Sequence, residues 1–274
     1  MLLEAVIVCV DYADFLAITL PYTLPLVDSV VVVTTPADKL TQRLCAKYSV
    51  RCLETDVFYR DQGTKFNKAR GINHGLNHCQ RRDWLIHMDA DVVLPMRTRH
   101  FLQNAELQKD CIYGIDRVNC HGEQVWQKFA SKPHVQYEWH YLVNPPRGMP
   151  LGSRIAHWDY GGYVPIGFFQ LWHSSQRMRY PNIQHADAEH TDLLHAVEWS
   201  RPKRVLLPEI VAIHLCAGGK VKMGANWKGR TTAPFDVGQL KDLGADKWFA
   251  ELHKDYTNDG TPAPTPPPPP PKQA

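Results

Sequence analysis

Four apolar runs set the pattern of the first hundred residues. Ala5-Val6-Ile7-Val8-Cys9-Val10 is continuous and closes on the polar Asp11-Tyr12-Ala13-Asp14. Val30-Val31-Val32-Val33-Thr34-Thr35 is the clearest, Val50 to Leu53 is short, and Trp84-Leu85-Ile86-His87-Met88 runs into Asp89-Ala90-Asp91 before Pro95. Continuous rather than alternating runs of this length predict strands buried on both faces. Helices are expected between them. One lies near Phe15 to Leu20, before Pro21 and Pro25. A second is opened by Pro36-Ala37-Asp38 and runs to about Tyr48, and a third spans Lys65 to His78. Strands alternating with helices predict an α/β chain with a mostly parallel, Rossmann-like sheet covered on both faces.

Beyond Pro95 the spacing changes. Cys111 to Val118, Tyr163 to Trp172 and Val205 to Leu215 read as strands, the last interrupted at Pro208 and the second preceded by Gly161-Gly162. Gln136 to Pro150 is aromatic and proline-rich and reads as a loop. Ala188 to Trp199 reads as a helix with Leu193, Leu194 and Val197 on one side. Asp236 to His253 reads as a C-terminal helix with a break near Gly244. Thr261 to Ala274 is almost all proline, an extended tail outside the fold.

Composition narrows the classes. The 274 residues are 44% hydrophobic and 22% charged, as in a soluble globular protein. The net charge of +3 argues for neither nucleic acid nor membrane by itself. It is uneven: Arg201, Lys203, Arg204, Lys220, Lys222, Lys228 and Arg230 stand against Glu209, a local excess that suits an anionic ligand as well as a solvated surface. Seven cysteines, an odd number without a Cys-x-x-Cys pair, read as reduced thiols of a cytoplasmic protein. Met1 to Val10 is too short to span a bilayer and lacks a basic leader, and no later stretch reads as a transmembrane helix. No G-x-G-x-x-G follows the first strand and no G-x-x-x-x-G-K-[ST] occurs, so dehydrogenase and P-loop readings lose their defining residues.

Asp89-Ala90-Asp91 closes a buried strand at the edge where α/β sheets bind ligands. Two hard carboxylates there suit Mg or Mn, which bridge protein and substrate phosphates. Lys68 and Arg70 begin a helix, where free N–H groups and cations converge on an anion. His185, His190 and His195 are spaced by five and scatter around a helix, and no H-E-x-x-H occurs, which argues against zinc. Of the aromatic set Trp139, Tyr141, Trp158, Tyr160, Tyr163, Phe168, Phe169 and Trp172, core packing explains most. The part from Trp158 to Tyr163 is the best placed to face an acceptor.

The strand end at Asp11, then Val30 to Asp38, then Phe66-Asn67-Lys68-Ala69-Arg70-Gly71-Ile72-Asn73, then Asp89-Ala90-Asp91, in that order, resembles the GT-A fold of nucleotide-sugar glycosyltransferases. The resemblance is greatest to the family of cellulose- and chitin-synthase-type enzymes and many bacterial and phage transferases. It covers Val6 to Pro95 and, in scattered motifs, reaches about Gly219. It implies a donor-binding half over residues 1–95, an acceptor and catalytic half over 96–258, and a tail at 259–274. It implies a nucleoside-diphosphate sugar donor, UDP-linked first, with Mn or Mg held by Asp91, and Asp89 on ribose or metal-bound water. His214 matches the family's later metal-binding histidine best, His173 second. Asp11 and Tyr12 stand where the family holds base and ribose, with Thr34, Thr35 and Asp38 at the next strand end. Thr191-Asp192 matches the start of the helix that carries the base, which makes Asp192 the candidate; Asp187 and Glu189 stay open, and helix capping is the plain alternative. The expected reaction is metal-dependent, inverting transfer to an acceptor hydroxyl, on a glycan or on a hydroxylated nucleic-acid base. Two rivals remain: a nucleotidyltransferase, which should carry a glycine-rich basic signature after its first strand, and a non-catalytic nucleotide-sugar-binding module.

Overall fold

The computed structural model describes residues 1–59, 66–131, 156–158, 160–181, 188–216, 230, 232, 234, 235 and 238–243. Its centre is β1 (Leu3–Val8), buried along its whole length. It lies parallel to β2 (Ser29–Thr34) on one side and β4 (Trp84–Asp89) on the other. Val8 is level with Val33 and with Asp89, so the polar residues following these strands emerge at one sheet edge. β3 (Arg51–Glu54) adds a parallel edge strand to β2.

The helices follow from local signals. α1 (Ala13–Thr23) is buried over most of its surface. It runs through Pro21 rather than stopping before it; the lost bond falls in the last turns, where the Thr23 hydroxyl donates to the Thr19 carbonyl at 3.0 Å. α2 (Lys39–Lys47) starts later than Pro36 suggested, because Asp38 is its cap and accepts the Thr41 N–H at 3.1 Å. α3 (Lys68–Leu76) is capped by Asn67, which accepts from the Arg70 N–H at 3.2 Å. α3 rides close on the sheet: a Cβ on Gly75 would lie 2.5 Å from Val6 Cγ1 and 2.9 Å from Val33 Cγ2.

The second half completes the same sheet. β5 (Val92–Val93), α4 (Thr98–Asn104), β6 (Ile112–His121) and α5 (Glu123–Ala130) follow β4; the two helices have no counterpart in the sequence reading. β7 (Ala156–His157) and β8 (Gly162–Tyr163) form a separate hairpin. β9 (Phe169–His173), α6 (Ala188–Ala196) and β10 (Arg204–Cys216) come last, with a 3-10 turn at Gly238–Leu243. The order is β3-β2-β1-β4-β9-β6-β10-β5.

Three expectations are corrected. The sheet is mixed: β9 is antiparallel to both neighbours, and β5 is antiparallel to β10. A run such as Phe169-Gln170-Leu171-Trp172-His173, buried on both faces, reads the same in either direction, so hydrophobicity cannot assign its sense. The single strand expected from Tyr163 to Trp172 is two, separated by a stretch holding Pro165 and Gly167. The interruption at Pro208 is a register shift against β6 between Leu207 and Val211 within one continuous strand. The Gln136–Pro150 loop, the Asp236–His253 helix beyond Leu243, and the proline tail lie outside the described residues. Among the described residues no helix is long and apolar enough to cross a membrane.

Gly75→Ala should force α3 off β1 and β2. A loss of about 1–3 kcal/mol is expected, read as a lower urea midpoint with an unchanged m-value.

Candidate active site

The first strand ends form a corner. Asp11, just after β1, holds a left-handed backbone (φ 59). Its N–H donates to Asp38 Oδ2 at 2.9 Å, and its carbonyl accepts from Arg230 Nη1 at 2.5 Å. Thr34 donates to the same Asp38 oxygen at 3.0 Å, and the Thr35 hydroxyl accepts from the Asp38 N–H at 3.3 Å. Thr34 and Asp38 are therefore buried beneath the corner, with these polar groups turned to Asp11, α2 and each other, while Asp11 stays half-buried above them. Tyr12 lies under the Arg230 guanidinium, 4.6 Å from ring centre to Cζ. Arg230 also makes two 2.7 Å bonds to Asp14, and both side chains are fully enclosed.

Deeper in the crevice Lys68 joins two carboxylates. Its Nζ is 2.5 Å from Asp89 Oδ1 and 3.2 Å from Asp192 Oδ2. Burial alone would lower the lysine pKa, but Asp192 and Asp89 outweigh it and hold the ammonium charged above its usual range. Burial raises Asp89 to about 6, helped by the charges of Asp192 and Asp91 and opposed by Lys68. Burial also raises Asp192 above the usual carboxylate range, against Lys68 and the Gly167 N–H. Gly167 sits so close that a Cβ there would fall 1.6 Å from Asp192 Oδ2. Asp192 lies beyond the first turn of α6, and its side chain meets Lys68 rather than free helix N–H groups, which sets the capping alternative aside. Beneath them His87 is fully buried, and neither ring nitrogen has a hydrogen-bond partner among the described residues. The nitrogens stand 3.9 Å from Asp89 Oδ1 and 3.8 Å from Asp192 Oδ1, and burial keeps the ring neutral.

Gln170, the register partner of His87 on β9, fixes the base of α6. Its amide donates to the Asp192 and Pro165 carbonyls, both at 2.9 Å. Its oxygen accepts from His195 Nδ1 at 3.1 Å and from the Tyr180 hydroxyl, whose ring stacks on His195 at 3.8 Å.

Beside this cluster Asp91 faces β10. Its Oδ2 is 3.4 Å from His214 Nε2, and its Oδ1 is buried without a hydrogen-bond partner among the described residues. Burial pushes Asp91 up, but His214, Lys68 and Arg117 prevail and hold it below the usual carboxylate range. Among the described residues no group of three or more His, Cys, Asp or Glu is gathered to hold a metal. Asp91 and His214 nevertheless supply a hard oxygen and an imidazole on one spot, with an orphaned carboxylate oxygen. That donor set fits a divalent cation whose remaining ligands are phosphate and water. Asp89, by contrast, already spends Oδ1 on Lys68.

The structure thus brings Asp11, Lys68, Asp89, Asp91, Asp192 and His214 to one sheet edge. His173 is not among them. It faces Trp84 at the start of β4, about 16 Å from Asp89 at 3.3 Å per residue, and pairs with Asp83 at 3.4 Å. Of the three spaced histidines, His195 is enclosed in the Gln170 cluster, His190 is exposed, and His185 lies outside the described residues, as do Asp187 and the side chain of Glu189. Phe168, Phe169 and Trp172 are core, and Trp158 is 98% exposed on the β7–β8 hairpin; Trp139 and Tyr141 lie outside the described residues. Of the described cations of the basic segment, Arg204 donates to the Tyr160 carbonyl, Lys203 meets Asp110 and Arg230 meets Asp14, while Arg201 is exposed. Residues 217–229 lie outside the described residues.

Sequence reasoning missed His87, Arg117, Asn119 and Gln170, and it named Arg230 only as one cation of a basic segment, not as the partner of Asp14. Period-two spacing could have found the first three. His87 shares the face of Asp89, and Arg117 and Asn119 are polar positions alternating with Val118 and Cys120 in an apolar strand. Arg230 carried no such signal.

A mixed α/β sheet with acidic and basic groups gathered at the carboxyl ends of β1, β2 and β4 defines a GT-A type protein. A family model agrees: the chain belongs to glycosyl transferase family 2, matched over residues 6–163 of 274. No curated protein sequence matches it. Among solved structures it is similar to glucosyl-3-phosphoglycerate synthase from Mycobacterium tuberculosis in complex with Mn2+, UDP-glucose and phosphoglyceric acid. The identity is 11% and the TM-score 0.42, over 78% of this chain and 71% of that one. A second structure of that synthase gives 11% and 0.40, over 83% and 75%. A structure described as a mycobacterial protein gives 12% and 0.40 over 78% of this chain, which spans 65% of its length. Likeness at this level transfers neither substrate nor partner.

Lys68→Met should leave Asp89 and Asp192 buried together without a cation, at a cost of about 3–5 kcal/mol. Carboxyl pKa values raised in the folded state make stability highest at low pH and lose it as pH rises through them. The penalty in urea denaturation should therefore be larger at pH 8 than at pH 5.

Proposed function

We propose that this protein transfers a sugar from a nucleoside diphosphate, UDP first, to an acceptor hydroxyl with inversion. The observation that carries the reading is the pairing of two buried carboxylates with different surroundings in one crevice. Asp91 is held ionised beside His214, while Asp192 is raised by burial and keeps an Oδ1 without a partner among the described residues. Such a split separates an electrostatic seat from a base.

Asp192 takes the proton of the acceptor hydroxyl as its oxygen attacks the anomeric carbon and the bond to the diphosphate breaks. Lys68 holds the Asp192 carboxylate in place and ionised. Asp91 and His214 would hold a Mn or Mg ion, which when bound supplies Lewis-acid neutralisation of the departing diphosphate. Asp11 and Tyr12 form the wall for base and ribose. Asp38 and Thr34 act from below by fixing the Asp11 backbone, and Asp89 by orienting Lys68 as well as meeting ribose. All seven cysteines are free thiols, which supports a reducing, cytoplasmic setting. No observation favours a nucleic-acid acceptor over a glycan, and the corner after β1 lacks the glycine-rich basic signature of a nucleotidyltransferase.

A thermal-shift panel of nucleotide sugars with and without Mn2+ tests donor and metal together. Stabilisation by a UDP-sugar only with metal, and release of UDP rather than pyrophosphate on turnover, are the expected results; turnover undiminished in excess EDTA would sink the metal assignment. Asp192→Asn should lower kcat by about 10²–10⁴-fold with little change in donor KM, and Asp91→Asn should abolish turnover in a folded protein. In the native enzyme kcat should fall with acid through a pH above the ordinary aspartate value of about 3.9, because burial raises Asp192 and only its ionised form accepts a proton.

A further inference from the structure

His214 has two ring nitrogens with different neighbours. Nε2 stands 3.4 Å from Asp91 Oδ2, and Nδ1 stands 3.2 Å from Asn119 Oδ1. The two residues are register partners on adjacent parallel strands, His214 on β10 and Asn119 on β6, so the contact is set by the sheet rather than by a loop. A second strand contact fixes the other side: the Leu215 N–H donates to the Asp91 carbonyl at 2.8 Å, and Val92 pairs with His214 across β5 and β10.

An amide oxygen only accepts, so its bond to Nδ1 requires a proton there. When a cation replaces the proton that Nε2 turns to Asp91, the proton on Nδ1 stays with Asn119, and the Nε2 lone pair is the one that faces the cation. We propose that Asn119 is the positioning residue of the candidate metal centre. It locks His214 in the Nδ1–H tautomer and in the ring orientation that directs Nε2 at the cation shared with Asp91. Metal-binding histidines commonly gain affinity from such a partner on the second nitrogen. An amide in that place orients without adding charge; a carboxylate would orient and also raise ligand basicity. The proposal rests on the divalent-metal reading of Asp91 and His214.

The test is Mn2+ binding, alone and with UDP, by isothermal titration and by loss of the free Mn2+ EPR signal. The proteins are the native chain, Asn119→Ala, Asn119→Asp and Asp91→Asn. Histidine ring 15N shifts of the metal-free proteins supply the second readout, with the His214 signals identified by His214→Gln. Asn119→Ala should weaken Mn2+ binding by about 10–100-fold with an unchanged thermal midpoint, and should remove the preference for Nδ1–H. Asn119→Asp should bind at least as tightly as the native chain. Native affinity in Asn119→Ala, or a His214 whose Nδ1 carries no proton in the native protein, would overturn the proposal while leaving the metal reading intact. Mn2+ binding undiminished in Asp91→Asn would instead overturn the metal reading and, with it, the role given to Asn119.

Discussion

The Lys68 ammonium between Asp89 and Asp192 is the contact on which the crevice depends. Two carboxylates brought together out of water would each protonate or move apart unless a cation stood between them. Lys68 meets both, and its position is over-determined. Asn67 caps the helix that carries it, and Gly75 lets that helix settle on Val6 and Val33. Gln170 and Gly167 hold Asp192 opposite. The lysine therefore links the first half of the sheet, through α3 and β4, to the second half, through β9 and α6.

Around that link each side chain has a division of labour imposed by its neighbours. Asp89 and Asp192 share one cation and are raised; Asp91, two residues along the chain, faces His214 and is lowered. Adjacent members of an Asp-x-Asp motif thus differ because one points to α3 and the other to β10. His87 extends the polar stack inward and remains neutral, a buried polar group whose own partners are the two carboxylates just beyond hydrogen-bond length.

The corner after β1 is built from three separate parts of the chain. Asp11 adopts a left-handed backbone that an aspartate tolerates better than most residues, with Asp38 on its N–H and Arg230 on its carbonyl. Arg230 reaches this place from the far end of the described chain and is itself held by Asp14. The clamp on the two backbone groups of Asp11 extends from α2 to the C-terminal segment.

The sequence by itself determined the strands β1 to β4 and the helices between them, because continuous apolar runs and capping residues are local. It also placed Asp11, Lys68, Asp89, Asp91, Asp192 and His214 among the candidates, since each closes a strand, opens a helix or fits a family pattern. Only the tertiary structure decided the direction of β9, because burial on both faces carries no sense of direction. It alone decided that Lys68 faces carboxylates and that His214 rather than His173 meets Asp91. The same holds for Arg230, more than two hundred residues from Asp11 and Asp14 in the chain. Such pairings are long-range and electrostatic, and no periodicity along a chain records which charge will be folded against which.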